Sequence, residues 1–303
     1  MAVLKTQNLT KRYKDKVAVD NVSLTVEKGD IFGLIGQNGA GKSTFMRMVT
    51  SLSRPDSGTI ELFGERDPAR ITAARTRMGA MIETPALFDN LSAVENLEYY
   101  RLQRGIPERN RVEEVLKIVN LTDTGKKKFK QFSLGMKQRL GLAVAMLSHP
   151  DFLIFDEPTN GLDPTGIVEM RELIKRLNEE GITILISSHI LTELAQVANK
   201  YAIIHHGKLI KTLTQDQLNE ECKLATAVVV SDIAKASVIL ETVLGIQNYK
   251  QVSGNELRIY DTLDDPGEIT FALAQEGIRV SSIAAVGDTL EDFYTKIIGG
   301  AGQ

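Results

Sequence analysis

Eight residues constrain this chain more than any other feature. Gly36-Gln37-Asn38-Gly39-Ala40-Gly41-Lys42-Ser43 follows a short apolar run, Ile31 to Ile35, and precedes helical apolar spacing at Phe45, Met46, Met48, Val49 and Leu52. The fixed positions of G-x-x-x-x-G-K-S/T arise by chance in roughly one chain in a hundred of this size. Placed between a strand and a helix, the pattern has a physical purpose. Glycines let backbone N–H groups turn inward around a phosphate, and the helix N-terminus adds partial positive charge. Residues Gly36, Gln37, Asn38, Gly39, Ala40, Gly41, Lys42, Ser43 and Thr44 are therefore the expected nucleotide-phosphate site. Lys42 is expected to reach the terminal phosphates and Ser43 to bind magnesium.

A second constellation lies downstream. Phe152-Leu153-Ile154-Phe155 is an apolar strand that ends in Asp156-Glu157. A carboxylate at a strand's C-terminal tip, beside a phosphate loop, is where a magnesium-supporting group belongs, and Asp156 is the candidate. Glu157, one residue on, points elsewhere and is the candidate to orient or deprotonate water.

The remaining chain fits an α/β fold with added parts. Residues 2–28 alternate apolar and polar, as antiparallel strands do. The region 85–150 reads as helical, and Ser92-Ala93-Val94-Glu95 is a capping box opening a helix through Gln103. From Asp151 strands and helices alternate, which implies a parallel sheet. Near Thr226 a strand–helix–strand–strand–helix–strand order begins, the pattern of a ferredoxin-like unit. The expected organisation is a domain over 1–222, containing an antiparallel β subdomain and a helical subdomain at 85–150, then a small α+β domain over 223–303.

Composition narrows the setting. A net charge of −3 argues against a broad nucleic-acid face, and one cysteine, Cys222, excludes an internal disulfide framework. The longest apolar run, Leu140 to Leu147, is eight residues, against about 20 for a membrane span. The opening stretch lacks a charged-then-apolar signal pattern, so a cytoplasmic protein is expected.

Taken in order, the motifs resemble the ATP-binding cassette (ABC) ATPase family, over about Val3 to Gln217. Phe132-Ser133-Leu134-Gly135-Met136-Lys137-Gln138-Arg139 is similar to the family signature, usually L-S-G-G-Q-x-Q-R. Asn160-Gly161-Leu162-Asp163 resembles its D-loop and Ser187-Ser188-His189 its switch histidine. The resemblance implies a P-loop ATPase using ATP and magnesium, with Glu157, His189 and Lys42 catalytic. It implies that Ser133 and Gly135 contact the γ-phosphate held by a second ATPase subunit, of this chain or another, paired head-to-tail. It also puts Tyr13 where the family stacks adenine, and a separate membrane permease beside the ATPase on the inner face of the membrane. Glu83 stands where the family usually has glutamine, and it is expected to assist the metal with Ser43 and Asp156. Two variant loops, Ile-Glu-Thr-Pro-Ala-Leu-Phe and the signature itself, look like those of ATPases serving bacitracin- and lantibiotic-type exporters and immunity systems. The alternative is a soluble ABC ATPase of translation or DNA repair. Those typically carry two cassettes or a long coiled-coil insertion, whereas only 50 residues separate Glu83 from Ser133 here.

Overall fold

The twelve-residue strand β1 (Ala2–Tyr13) organises the first sheet of the computed structural model, which describes residues 1–83, 87–222, 225–261, 265–286 and 290–300. β1 pairs antiparallel with β2 (Lys16–Val22) and β3 (Thr25–Glu27), and along its other edge with β5 (Ser57–Leu62). Between β3 and β5 the chain leaves this sheet for β4 (Ile31–Ile35) and helix α1 (Lys42–Val49). Leu4, Val19, Val22, Val26, Phe45 and Met46 share one buried core between that sheet, α1 and the strands beyond.

Helix α2 (Pro68–Ala74) starts from an Asp67 cap and leads to β6 (Met78–Met81). Three helices follow before the chain returns to the sheet: α3 (Ala93–Gln103), α4 (Arg111–Ile118) and α5 (Leu134–Met146). The Ser92 hydroxyl accepts the Glu95 N–H, and the Glu95 carboxylate accepts the Ser92 N–H at 2.6 Å. That reciprocal pair, with Lys128 at 3.0 Å, holds the Glu95 carboxyl down to about 2.

Next come β7 (Phe152–Asp156), α6 (Pro164–Glu179), β8 (Thr183–Ser188), the short α7 (Leu191–Leu194), β9 (Lys200–His205), β10 (Lys208–Thr214) and α8 (Gln215–Glu221). The second sheet runs β10-β9-β4-β8-β7-β6, parallel except for the β9–β10 hairpin. Strands β4, β7 and β8 are buried at every residue, so their near-continuous apolar sequences suit a sheet covered on both faces.

The chain divides into two compact units, Met1–Gln215 and Asp216–Gln303. In the second, β11 (Ala225–Val230), α9 (Ile233–Thr242), β12 (Tyr249–Ser253), β13 (Glu256–Ile259), α10 (Gly267–Gln275) and β14 (Val280–Val286) precede α11 (Leu290–Gly300). Its sheet order is β12-β13-β11-β14 with every pair antiparallel, over its own core of Val228, Leu240, Leu257, Ile259 and Leu273. Thr84, Pro85 and Ala86, within the loop of the subfamily resemblance, lie outside the described residues, as does Lys223, where the sequence reading starts the second domain. Among the described residues no helix is long and apolar enough to cross a membrane.

Candidate functional site

Three adjacent strands deliver their C-terminal ends to one edge of the parallel sheet. β4 runs into the glycine loop, β7 ends on Asp156, and β8 ends at Ser188 just before His189. In register, Ile35 lies opposite Ser188 and Asp156 opposite Ser187.

The loop is backed by main chain. A Cβ on Gly36 would stand 2.5 Å from the Ile204 carbonyl oxygen. At Gly41, φ is +114° and a Cβ would meet the Ala18 carbonyl at 2.4 Å. Gly207 N–H donates to Ala40 O at 2.8 Å, closing the loop's rear. α1 starts at Lys42 with no side-chain cap on Gly41, so its first N–H groups are available to an anion.

A cavity of about 290 Å³ runs from Tyr13 and Lys16 along the loop to Glu157. Lys42, only 5% exposed, donates from Nζ to Gly36 O at 2.5 Å and Gln37 O at 3.3 Å. The same Nζ lies 3.1 Å from Glu157 Oε1. That oxygen is buried and has no hydrogen bond, so the contact is one of charge rather than directed bonding. Glu157 Oε2 lies 2.6 Å from His189 Nδ1. With Nδ1 carrying the proton, the imidazole donates to the carboxylate and turns Nε2 away from it. Asp156 is buried and accepts the Ser187 hydroxyl at 2.6 Å.

The structure thus gathers Lys42, Glu157 and His189 directly, with Asp156 and Ser43 flanking. Tyr13 is 45% exposed, lines the same cavity, and its hydroxyl lies 3.2 Å from Ser53 Oγ. Ser133 and Gly135 do not line it. Ser133 instead caps α5, accepting the Met136 N–H at 3.3 Å, on an exposed face of the chain. There Leu134 packs on the D-loop turn, where a Cβ on Gly161 would stand 2.9 Å from Leu134 Cδ2. Glu83 does not line the cavity either: its carboxylate, 58% exposed, pairs with Arg47 of α1 at 2.5 Å. Lys16 and Ala18 line the cavity without belonging to any motif, and Ser187, part of the switch-histidine stretch, receives no role of its own from the sequence although it bonds both acids. Only Ser187 had a signal, a hydroxyl at the tip of a buried strand next to the acid strand.

A larger cavity, about 590 Å³, lies where the ends of α3 and α5 meet the start of β6. Its arginines are committed elsewhere, Arg75 to Val49 O at 3.2 Å and Arg104 to Val144 O at 2.7 Å, at helix C-termini.

A phosphate loop, an acid pair and a histidine on adjacent strands of one parallel sheet define a P-loop nucleoside triphosphatase. Comparison with known proteins carries this to a family. Residues 19–160 match the profile of the ABC transporter family. The bacitracin transport ATP-binding protein of Bacillus licheniformis is 43% identical over 299 residues, 98% of each chain. The lantibiotic transport ATP-binding protein of Streptococcus pyogenes is 45% identical, over 69% of this chain and 89% of its own. A dimeric post-hydrolysis ATP-binding cassette holding ADP and phosphate superposes with a TM-score of 0.64 at 26% identity, over 70% of this chain and 98% of that one. The chain belongs to the ABC transporter family, as an ATP-binding, ATP-hydrolysing subunit that energises a transporter.

Proposed function

We propose that this subunit hydrolyses magnesium–ATP at the Lys42–Glu157–His189 cluster to drive a separate membrane permease that exports a bacitracin- or lantibiotic-type peptide, for export or self-immunity. The observation carrying the chemistry is the Glu157 carboxylate, set between Lys42 and His189 at the mouth of the loop cavity. The substrate class rests on the likeness to the bacitracin and lantibiotic relatives along most of the chain.

Residues 36–44 would wrap the phosphates, Lys42 neutralising the terminal ones, while Tyr13 stacks the adenine. Ser43 and Asp156 offer hard oxygens, and among the described residues no three His, Cys, Asp or Glu side chains are placed to hold a metal ion by themselves. That donor set suits magnesium, which takes most of its ligands from phosphates and water. When bound, the metal supplies charge neutralisation at the phosphates. Glu157 Oε1 would take the proton of the attacking water, while His189, carrying a proton on each ring nitrogen, would hold Oε2 through Nδ1 and donate from Nε2 to the γ-phosphate. Glu83 would leave Arg47 to assist on the metal side and couple hydrolysis to the permease.

Ser133 and Gly135 would complete the cavity of a second copy in a two-fold, head-to-tail pair, a heterodimer being the variant arrangement. Residues 1–222, with a helical subdomain over 85–150, would form the cassette. Residues 223–303 would form a ferredoxin-like domain for regulation or dimer support, a reading its strand order supports. The subunit would sit on the inner face of the membrane through the permease. The test is affinity capture from detergent-solubilised membranes of the source cell, combined with peptide-sensitivity assays. A permease is expected to co-purify, and a Glu157→Gln strain to lose peptide resistance. Capture of ribosomes or DNA without a membrane protein would overturn the reading.

A further inference from the structure

The residue joining the two acids belongs to neither acid's strand. Ser187 is fully buried at the end of β8, directly opposite Asp156. Its hydroxyl donates to Asp156 Oδ1 at 2.6 Å and accepts the Glu157 backbone N–H at 3.0 Å. One oxygen thus grips the side chain of one acid and the backbone of the next. Glu157 also sits at φ +51°, a left-handed conformation that L residues rarely adopt. Such a conformation persists only where surrounding contacts over-determine it. The N–H bond to Ser187 is one such contact, and His189, two residues beyond Ser187, supplies another through Glu157 Oε2.

We infer that Ser187 is a positioning residue that fixes the Glu157 carboxylate relative to Asp156, and so sets the line from water to γ-phosphate. This rests on the hydrolytic roles proposed for the two acids. Ser187 itself does not line the loop cavity. Its hydroxyl acts by holding Asp156 in one rotamer and Glu157 in one backbone conformation. Removing the hydroxyl leaves the buried Asp156 carboxylate and the half-buried Glu157 N–H without their shared partner, which the site relieves by moving. A displacement of about 1 Å in such a site costs on the order of 10²-fold in rate.

The experiment compares Ser187→Ala, Ser187→Thr and Glu157→Gln in the full chain. It reads kcat, KM, equilibrium binding of magnesium–ATP, and amide hydrogen exchange of the segment spanning 156–158. Ser187→Ala is expected to lower kcat on the order of 10²-fold, to leave ATP affinity within about threefold, and to speed exchange in that segment. Ser187→Thr, which keeps the hydroxyl, is expected to recover at least about tenfold of the loss. Should the alanine variant not fold, Ser187→Cys takes its place: near-isosteric and a weak donor, it should show the same split. A hydroxyl-free variant turning over at the wild-type rate overturns the inference, as does loss of ATP affinity in step with kcat. Glu157→Gln separates the two readings. A dead Glu157→Gln beside a fully active Ser187→Ala overturns only the positioning role, whereas an active Glu157→Gln overturns the acid assignment beneath it.

Discussion

Lys42 and Glu157 are opposite charges 3.1 Å apart in a cavity mouth, and they do different work. In the proposed chemistry Lys42 would donate to a terminal phosphate oxygen, and one such charge-assisted hydrogen bond is worth about 1.5–3 kcal/mol. Lys42→Ala should therefore weaken ATP binding by roughly 10- to 100-fold, which titration calorimetry would read directly. Glu157→Gln keeps shape and loses basicity. Turnover should drop by about 10²- to 10⁴-fold while ATP stays bound, visible as nucleotide retained on a desalting column. Fast hydrolysis by this variant would refute the assignment. At this scale the motif residues are legible because their types and spacing are local. Their contacts are not: Arg47 meets Glu83 across 36 residues, and nothing near either position announces the pair.

The element scale shows the same division between local and distant. Helix α3 begins where its capping box requires it to, since the box is a matter of four consecutive residues. Ser92→Ala should cost about 1 kcal/mol of unfolding free energy, read as a lower urea midpoint at constant slope. Glu95 adds a pH signature. Its folded-state value, about 2, lies below the ordinary 4.5, so its stabilising contribution is complete above about 4.5 and is lost as pH falls towards 2. Glu95→Gln should flatten the acid side of the stability curve in that window. By contrast, the seven-residue α2 escapes periodicity, although Asp67 and Pro68 mark its start. Strand order escapes it too: pairing β4 with β8 and β9 is decided by residues more than 140 positions away.

At the scale of the whole molecule, the exposed Ser133 cap lies apart from the chain's own loop cavity. If a second copy completes each site, Ser133→Arg should abolish turnover yet leave ATP binding by single chains intact. Introduced into Glu157→Gln, it should prevent the ATP-dependent dimer seen by light scattering. Unchanged dimerisation would mean that the cavity works within one chain.

The rear wall of the phosphate loop also governs when the loop can exist. Gly36 leans on Ile204, and Ala40 is held by Gly207. At about 5–20 residues per second, a ribosome needs on the order of ten seconds or more to travel from one to the other. Throughout that interval the emerging segment has its glycines and the Ala18 carbonyl but lacks the part of its backing that Ile204 and Gly207 supply. The complete rear wall therefore exists only after β9 and the turn at Gly207 have cleared the exit tunnel.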